Sequence, residues 1–218
     1  FPSLTKDFED IQQLEAIGTI SDLMPMVDEN RIIVRKGLSL MSKKPLPCLS
    51  YLLAKQNLIG KPISAVNVSF KISPVLNAAG RMGEPETALE LLLTDEPGKI
   101  EDLTDRLLSL NAARQQNEED TMKMVSSKAE DSYIDNDGKI VIIDDPSVPR
   151  GLTGSIASRI SNDKRIPVIV LATMDGKVSG SMRCHDPWSA RDFLSSFSHL
   201  LEDYGGHRFA AGFRLDEE

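Results

Sequence analysis

The spacing of apolar residues divides the chain into a helical beginning, one long periodic stretch and an alternating end. In the first part, "FEDIQQLEAIGTISDLMPM" reads as a helix that stops near Pro25, and "NRIIVRKGLSLMSK" as a second amphipathic stretch before a Pro-rich connection. "ISAVNVSFKISPVLNAAGRMG" predicts a strand or extended entry, then a proline, then a turn of small residues. Pro85 sits where a first helical turn tolerates it, and "ETALELLLT" continues as helix. From Pro97 to Tyr133, Ile100, Leu103, Leu107 and Leu110 recur at steps of three and four, and Met122, Val125 and Ala129 resume the spacing beyond the polar "RQQNEED". One helix of roughly 35 residues, about 50 Å long, is expected there. Two shorter helices in a bundle are the alternative. The last part alternates: "IVIID", "IPVIVLAT", "KVSGSMR" and "RFAAGFRL" read as strands, with helices over "GLTGSIASRISND" and "WSARDFLSSFSHLLEDY". Strands interleaved with helices predict an α/β layer around a central sheet.

Composition narrows the class. A chain of 218 residues can bury a core without disulfide or metal staples. Cys48 and Cys184 lie far apart with no CxxC spacing, which argues against a zinc site and is compatible with a reducing cytosol. The longest apolar runs are too short to cross a bilayer. The first residue is Phe1, so a fragment or processed product is expected. Net charge is −8, which by itself discourages phosphate binding, yet Arg150 to Arg214 carries nine Lys and Arg against six Asp and Glu. The last part can therefore meet an anion locally.

Candidate chemistry falls at both ends. Alternation along "KVSGSMRC" puts Ser179, Ser181 and Arg183 on one strand face and Gly180 and Met182 on the other. A guanidinium presents a planar fork to two oxygens and a hydroxyl adds a short-range donor, a combination suited to phosphate; an ordinary polar strand face is the plainer reading. Gly154, Ala157 and Ser158 read as small residues for tight helix packing. In "LEDYGGHRFAAGF", Gly205 and Gly206 exceed what a helix stop needs, and they suggest bare backbone brought close to an oxyanion beside His207. His185, His199 and His207 have no HxxxH spacing, so no metal cluster is expected within the chain. Asp22, beyond "GTIS", could bind a hard cation or cap a backbone turn. Gly80 and Gly83 free the backbone around Arg81.

In order along the chain, "LEAIGTISDLMPMVDENRIIVRKGL", "LNAAGRMGEPETALELLLT", "LLSLNAARQQNE", "GSMR" and "GGHRFAAGF" closely resemble the later two thirds of the RecJ family of DHH phosphoesterases. The resemblance implies an α/β fold with residues 1–96 as the helical end of a DHH catalytic domain, 97–134 as a long connecting helix, and 135–218 as a smaller DHH-associated α/β domain with a central mixed sheet. It implies a metal-dependent 5′-to-3′ exonuclease acting on single strands, cytoplasmic, with single-stranded DNA and a replication or repair protein as partners. Asp22 matches the last metal-binding aspartate, a ligand of Mn2+ or Mg2+; Ser181 and Arg183 match the pair that holds a terminal 5′ phosphate. Gly205, Gly206 and His207 match a substrate-binding motif, and Asn77 and Arg81 a polar turn facing the cleft between domains.

The family's other metal motifs precede the stretch matched here, so these residues alone are expected neither to assemble the metal centre nor to cleave DNA. The chain departs from the family pattern at Pro149, Arg150 and Gly151, where His-Pro-Gly is common, and at Met182 and Cys184, where small residues flank the grip. Family members commonly add an OB domain after this region; the end at Glu218 implies a trimmed piece or a shorter member like the archaeal RecJ-like proteins. A DHH-type oligoribonuclease or cyclic-dinucleotide phosphodiesterase, and a non-catalytic nucleic-acid-binding scaffold, are the alternatives.

Overall fold

Two amphipathic helices at the start of the chain meet across a glycine. In the computed structural model, which describes residues 2–174 and 176–216, they are α1 (Pro2–Ser21) and α2 (Asp28–Lys43). Gly37 of α2 lies against the backbone of Gln12 and the methyl of Ala16, so the helices pack with no side chain between them at that point. Buried Gln13 ties the pair to the next connection: its amide donates to the Lys44 carbonyl (3.2 Å) and its carbonyl accepts from the Leu46 N–H (3.1 Å). Both polar ends of a side chain removed from water are thereby satisfied.

After α3 (Pro47–Lys55) the chain departs from the extended entry and small-residue turn expected of "ISAVNVSFKISPVLNAAGRMG". It is helical throughout: α4 (Ala65–Asn67), a π-helical stretch (Val68–Ile72) and α5 (Ser73–Arg81). Two local devices explain this. Ser64 and Asn67 cap each other reciprocally, with the Asn67 N–H donating to the Ser64 hydroxyl (3.2 Å) and the Ser64 N–H to the Asn67 side chain (2.9 Å). Pro74 lacks the N–H that a continuing α-helix would donate, and the turn before it widens so that the Ser73 N–H reaches back to Val68. The segment "ISAVNVSF", expected as an extended entry, is therefore a helix start with Ile63 and Val68 buried.

Helix α6 (Pro85–Leu93) begins on its proline, as expected. A single helix, α7 (Pro97–Asp135), then runs for 39 residues. Two compact units divide within it, one up to Arg114 and one from Gln115. Ile100, Leu107 and Leu110 enter the core of the first unit with Met41, Leu49, Leu52 and Ile72, whereas Val125 and Ala129 enter a core of the second. One periodic stretch thus serves two cores. Burial pushes the Cys48 thiol in the first core up to about 11, and also raises that of Cys184 in the second unit.

The second unit is built on one five-stranded mixed sheet with strand order β1-β2-β3-β5-β4. Its strands are β1 (Val141–Asp144), β2 (Val168–Met174), β3 (Lys177–Arg183), β4 (Asp203–His207) and β5 (Ala210–Asp216). β1 and β2 are parallel, joined through α8 (Thr153–Lys164), and every other pairing is antiparallel. β4 replaces the end of the expected helix. The helical pattern over 188–204 yields only α9 (Ala190–Ser196) and one 3-10 turn (Ser198–Leu200), and Asp203 onward joins the sheet edge. Pairing with β5 through a two-residue turn outweighed the weak helical signal of "LLEDY".

Candidate functional site

Strand register decides which side chains share a surface. Reading across the sheet, Val168, Arg183, Ala210 and His207 form one row; Val170, Ser181, Gly212 and Gly205 the next; Ala172, Ser179, Arg214 and Asp203 the third. All twelve positions lie on one face. Over β2 and β3 that face is covered by α8, while at β4 Asp203, Gly205 and His207 stay exposed. The result is a shelf running outward from the start of a helix. Adjacent strands are about 4.8 Å apart, so the Cα atoms of Arg183 and His207, two strands apart, are roughly 10 Å from each other.

The guanidinium of Arg183 is fixed rather than waving in solvent. Its Nη1 donates to the carbonyls of Met182 (2.8 Å) and Ala211 (3.4 Å), and its Nη2 lies where a Cβ on Gly154 would stand, 2.7 Å from that position. Gly154, expected to be a packing residue, therefore admits the arginine to the first turn of α8. The Ser181 hydroxyl shares a 2.9 Å hydrogen bond with Thr153, which also donates to the Arg150 carbonyl (3.1 Å). A cavity of about 370 Å3 opens beside these groups, lined among others by Arg150, Thr153, Ser179, Ser181, Gly212 and Arg214. Arg214, which also lines the cavity, donates to Asp203 (2.9 Å).

The two glycines do different things. Gly206 has φ +141° and its absent side chain would overlap the Ala210 carbonyl oxygen at 2.4 Å, so the hairpin requires it. It faces away from the shelf. Gly205 faces onto it with nothing within 4 Å of a hypothetical Cβ, leaving main chain bare beside the exposed His207. "GGH" is thus part of an edge strand, not only a break between the expected helix and the last strand. Met182 and Cys184 are buried beneath α9 on the opposite face, so these departures from the family pattern do not touch the shelf.

The loop that carries Arg150 is anchored by Asp145. Its carboxylate accepts from Lys128 on α7 (2.7 Å), from the Ser147 N–H (2.9 Å) and from the Ser147 hydroxyl. The Lys128 ammonium, then Ser147, hold its carboxyl down from 3.8 to about 2. A depressed carboxyl stabilises the fold fully above its unfolded value and loses that contribution as pH falls through about 2. Lys128→Met is expected to cost about 1 kcal/mol at neutral pH, since the lysine is half exposed and screened. In urea melts the gap from wild type should narrow in acid below the ordinary carboxylate range; a gap independent of pH would refute the pairing.

In the first unit, Asp22 follows the last turn of α1 and is exposed. Its N–H donates to the Gly18 carbonyl (3.0 Å), and its carboxylate caps no described turn. Neighbouring Ser21 shares a 2.6 Å hydrogen bond with Ser73 at the start of α5. Asn77 and Arg81 stand one and two turns further along α5, exposed on one face, a helix in place of the expected turn. No cluster of three His, Cys, Asp or Glu occurs among the described residues. A lone carboxylate does not fit a two-ion centre.

Residues 137–218 match the DHHA1 domain family. Along nearly its whole length the chain is similar to RecJ proteins. Over 204 residues it is 39% identical to the single-stranded-DNA-specific exonuclease RecJ of Thermus thermophilus, spanning 94% of this chain and 29% of that protein. With RecJ of Salmonella typhimurium it shares 32% over 217 residues, 95% of this chain and 37% of the relative. The chain thus spans about a third of the length of these curated relatives. The crystal structure of Thermus thermophilus RecJ in complex with Mn2+ superposes with a TM-score of 0.83 at 38% identity, over 96% of this chain and 30% of that one. A second structure of that RecJ, with Mg2+, gives 0.81 over 32% of its chain. No helix among the described residues is long and apolar enough to cross a membrane.

Arg150, Thr153, Gly154 and Arg214 were not singled out as functional from the residue pattern. Thr153 and Gly154 give no signal in isolation, because only the meeting of α8 with β3 brings them to Ser181 and Arg183.

Proposed function

We propose that this chain is the strand-holding part of a RecJ-type exonuclease that degrades single-stranded DNA from a 5′ end, with the terminal phosphate seated on the shelf. Residues 1–96 are assigned to the end of the DHH domain, 97–134 to the connecting helix and 135–218 to the DHH-associated domain. The carrying observation is the shared face: a fixed guanidinium, a hydroxyl, a helix start and bare strand backbone on one side of one sheet. Arg183 supplies charge-assisted donors to phosphate oxygens, Ser181 and Thr153 supply hydroxyls, and the first amides of α8 add a positive dipole end. Gly205 lets a strand approach the main chain, and His207 donates at its rim. Gly206 serves by shaping that edge. Asn77 and Arg81 contact the strand from the first unit.

Asp22 is assigned as one oxygen ligand of a Mn2+ or Mg2+ whose other ligands this chain does not supply. The chain by itself therefore binds without cleaving. Titrating it with single strands bearing a 5′ phosphate, a 5′ hydroxyl or a 3′ phosphate should give tightest binding to the first, with no turnover in Mn2+. Equal affinity for all three overturns the phosphate seat, and turnover overturns the division of labour. A dinucleotide bound as tightly as a long 5′-phosphorylated strand would favour the oligoribonuclease reading instead.

A further inference from the structure

Charge is segregated along this chain. From Asn30 to Gly83 there are nine Lys and Arg and no Asp or Glu, whereas the other positions carry 16 basic against 33 acidic residues. Ordinary soluble surfaces intersperse the two signs. Gathering one sign costs self-repulsion that an anionic partner relieves.

Part of the basic segment folds into a groove of about 570 Å3 between α2 and the turn at 60–63. Arg35, Ser39 and Lys43 on α2 line one side, spaced by four residues and so about 6 Å apart along the axis. Lys61 lines the other, its Nζ held by the Asn57 carbonyl at 2.9 Å. The two sides are pinned together by Ser42, whose hydroxyl donates to the Leu38 carbonyl (2.7 Å) and accepts from the Ile63 N–H (2.9 Å). Gly60, at φ +72°, makes the turn possible. No carboxylate lines the groove, and no ion pair ties Arg35 or Lys43 to another described residue.

We propose that this groove binds the phosphate backbone of a nucleic-acid strand, as a contact separate from the shelf on the sheet. The proposal rests on the reading that the chain handles single-stranded nucleic acid. A row of evenly spaced cations and a hydroxyl suits a polymer with one anionic group per unit, and the Leu38 and Ile63 side chains give an apolar floor for sugars. Clustered cations also recognise acidic peptides, but donors repeated every four residues along α2 match a chain with one charge per unit better than the irregular spacing of carboxylates in a peptide.

The test is fluorescence anisotropy of the full chain with a labelled 5′-phosphorylated single strand, over a range of salt. Three exposed substitutions, Arg35→Gln, Lys43→Gln and Lys61→Gln, are combined. If each cation meets one phosphate, the slope of log affinity against log salt falls by about 2, and affinity at low salt falls at least tenfold. The preference for a 5′ phosphate over a 5′ hydroxyl should stay as in wild type, because the shelf is untouched. Circular dichroism of the triple variant checks that it remains folded. Unchanged affinity and slope overturn the groove. Loss of binding to poly-glutamate with DNA binding intact assigns it to an acidic protein and also overturns the proposal. Loss of the 5′-phosphate preference in wild type itself would sink the shelf while leaving the groove's salt slope to be judged separately.

Discussion

Replacing Arg183 by alanine is expected to abolish the preference for a 5′-phosphorylated strand while leaving the second unit folded. The guanidinium is the only described cation on the shelf held on two backbone carbonyls against the start of α8, at Met182 and Ala211. A charge-assisted hydrogen bond of this kind contributes about 1.5–3 kcal/mol, which corresponds to a loss of roughly ten- to a hundredfold in affinity. Arg183→Lys separates charge from geometry: an ammonium keeps the charge but cannot present the planar fork, so an intermediate loss is expected. Gly154→Ala reaches the same group from the other side, because its methyl would stand 2.7 Å from Nη2 and push the guanidinium off the helix start. That variant should weaken binding with little change in melting. The readout is the ratio of affinities for 5′-phosphate and 5′-hydroxyl strands. A ratio that survives Arg183→Ala would remove the phosphate seat from this face of the sheet.

The largest effect on stability is expected where α1 and α2 touch. Gly37→Ala gains about 1 kcal/mol of helix propensity, but its methyl would lie 2.4 Å from both the Gln12 carbonyl oxygen and the Ala16 methyl. Those atoms belong to a helix backbone and a side chain with no rotamers, so relief requires moving one helix. Overpacking of this sort costs about 1–3 kcal/mol or more, and with two overlaps the upper part of that range applies, giving a net loss of about 2 kcal/mol. Gly18 of α1 is the control. It is exposed with nothing within 4 Å of a hypothetical Cβ, so Gly18→Ala should stabilise by up to about 1 kcal/mol. The same chemical change thus carries opposite signs at two helical glycines. Urea denaturation of both variants decides it, and a stabilised Gly37→Ala would mean that the helices do not meet there.

The elements with the strongest periodicity were legible without coordinates. The long helix announced itself by apolar residues from Ile100 to Ala129, because a 3.6-residue period sustained over many turns keeps one stripe of a helix apolar and suits neither a strand nor a loop. The strands rich in Val and Ile follow from short apolar runs of β-branched residues, and the placing of Ser181 and Arg183 on one face of theirs follows from alternation. Order along the chain carried the resemblance to RecJ, since five modest motifs in sequence exclude most accidents. Other features depended on partners distant in sequence. The helix at Asn77 and Arg81 arose because a reciprocal cap at Ser64 and a proline at 74 set the local path, where small residues had suggested a turn. "GGH" became a strand because β5 offered it an unpaired edge. Gly154 and Thr153 entered the site because α8 lands on β3. Periodicity is written locally, in the spacing of residues along one element. The phosphate seat is not, since its donors come from separate strands and a helix that only backbone pairing and burial bring within hydrogen-bond reach.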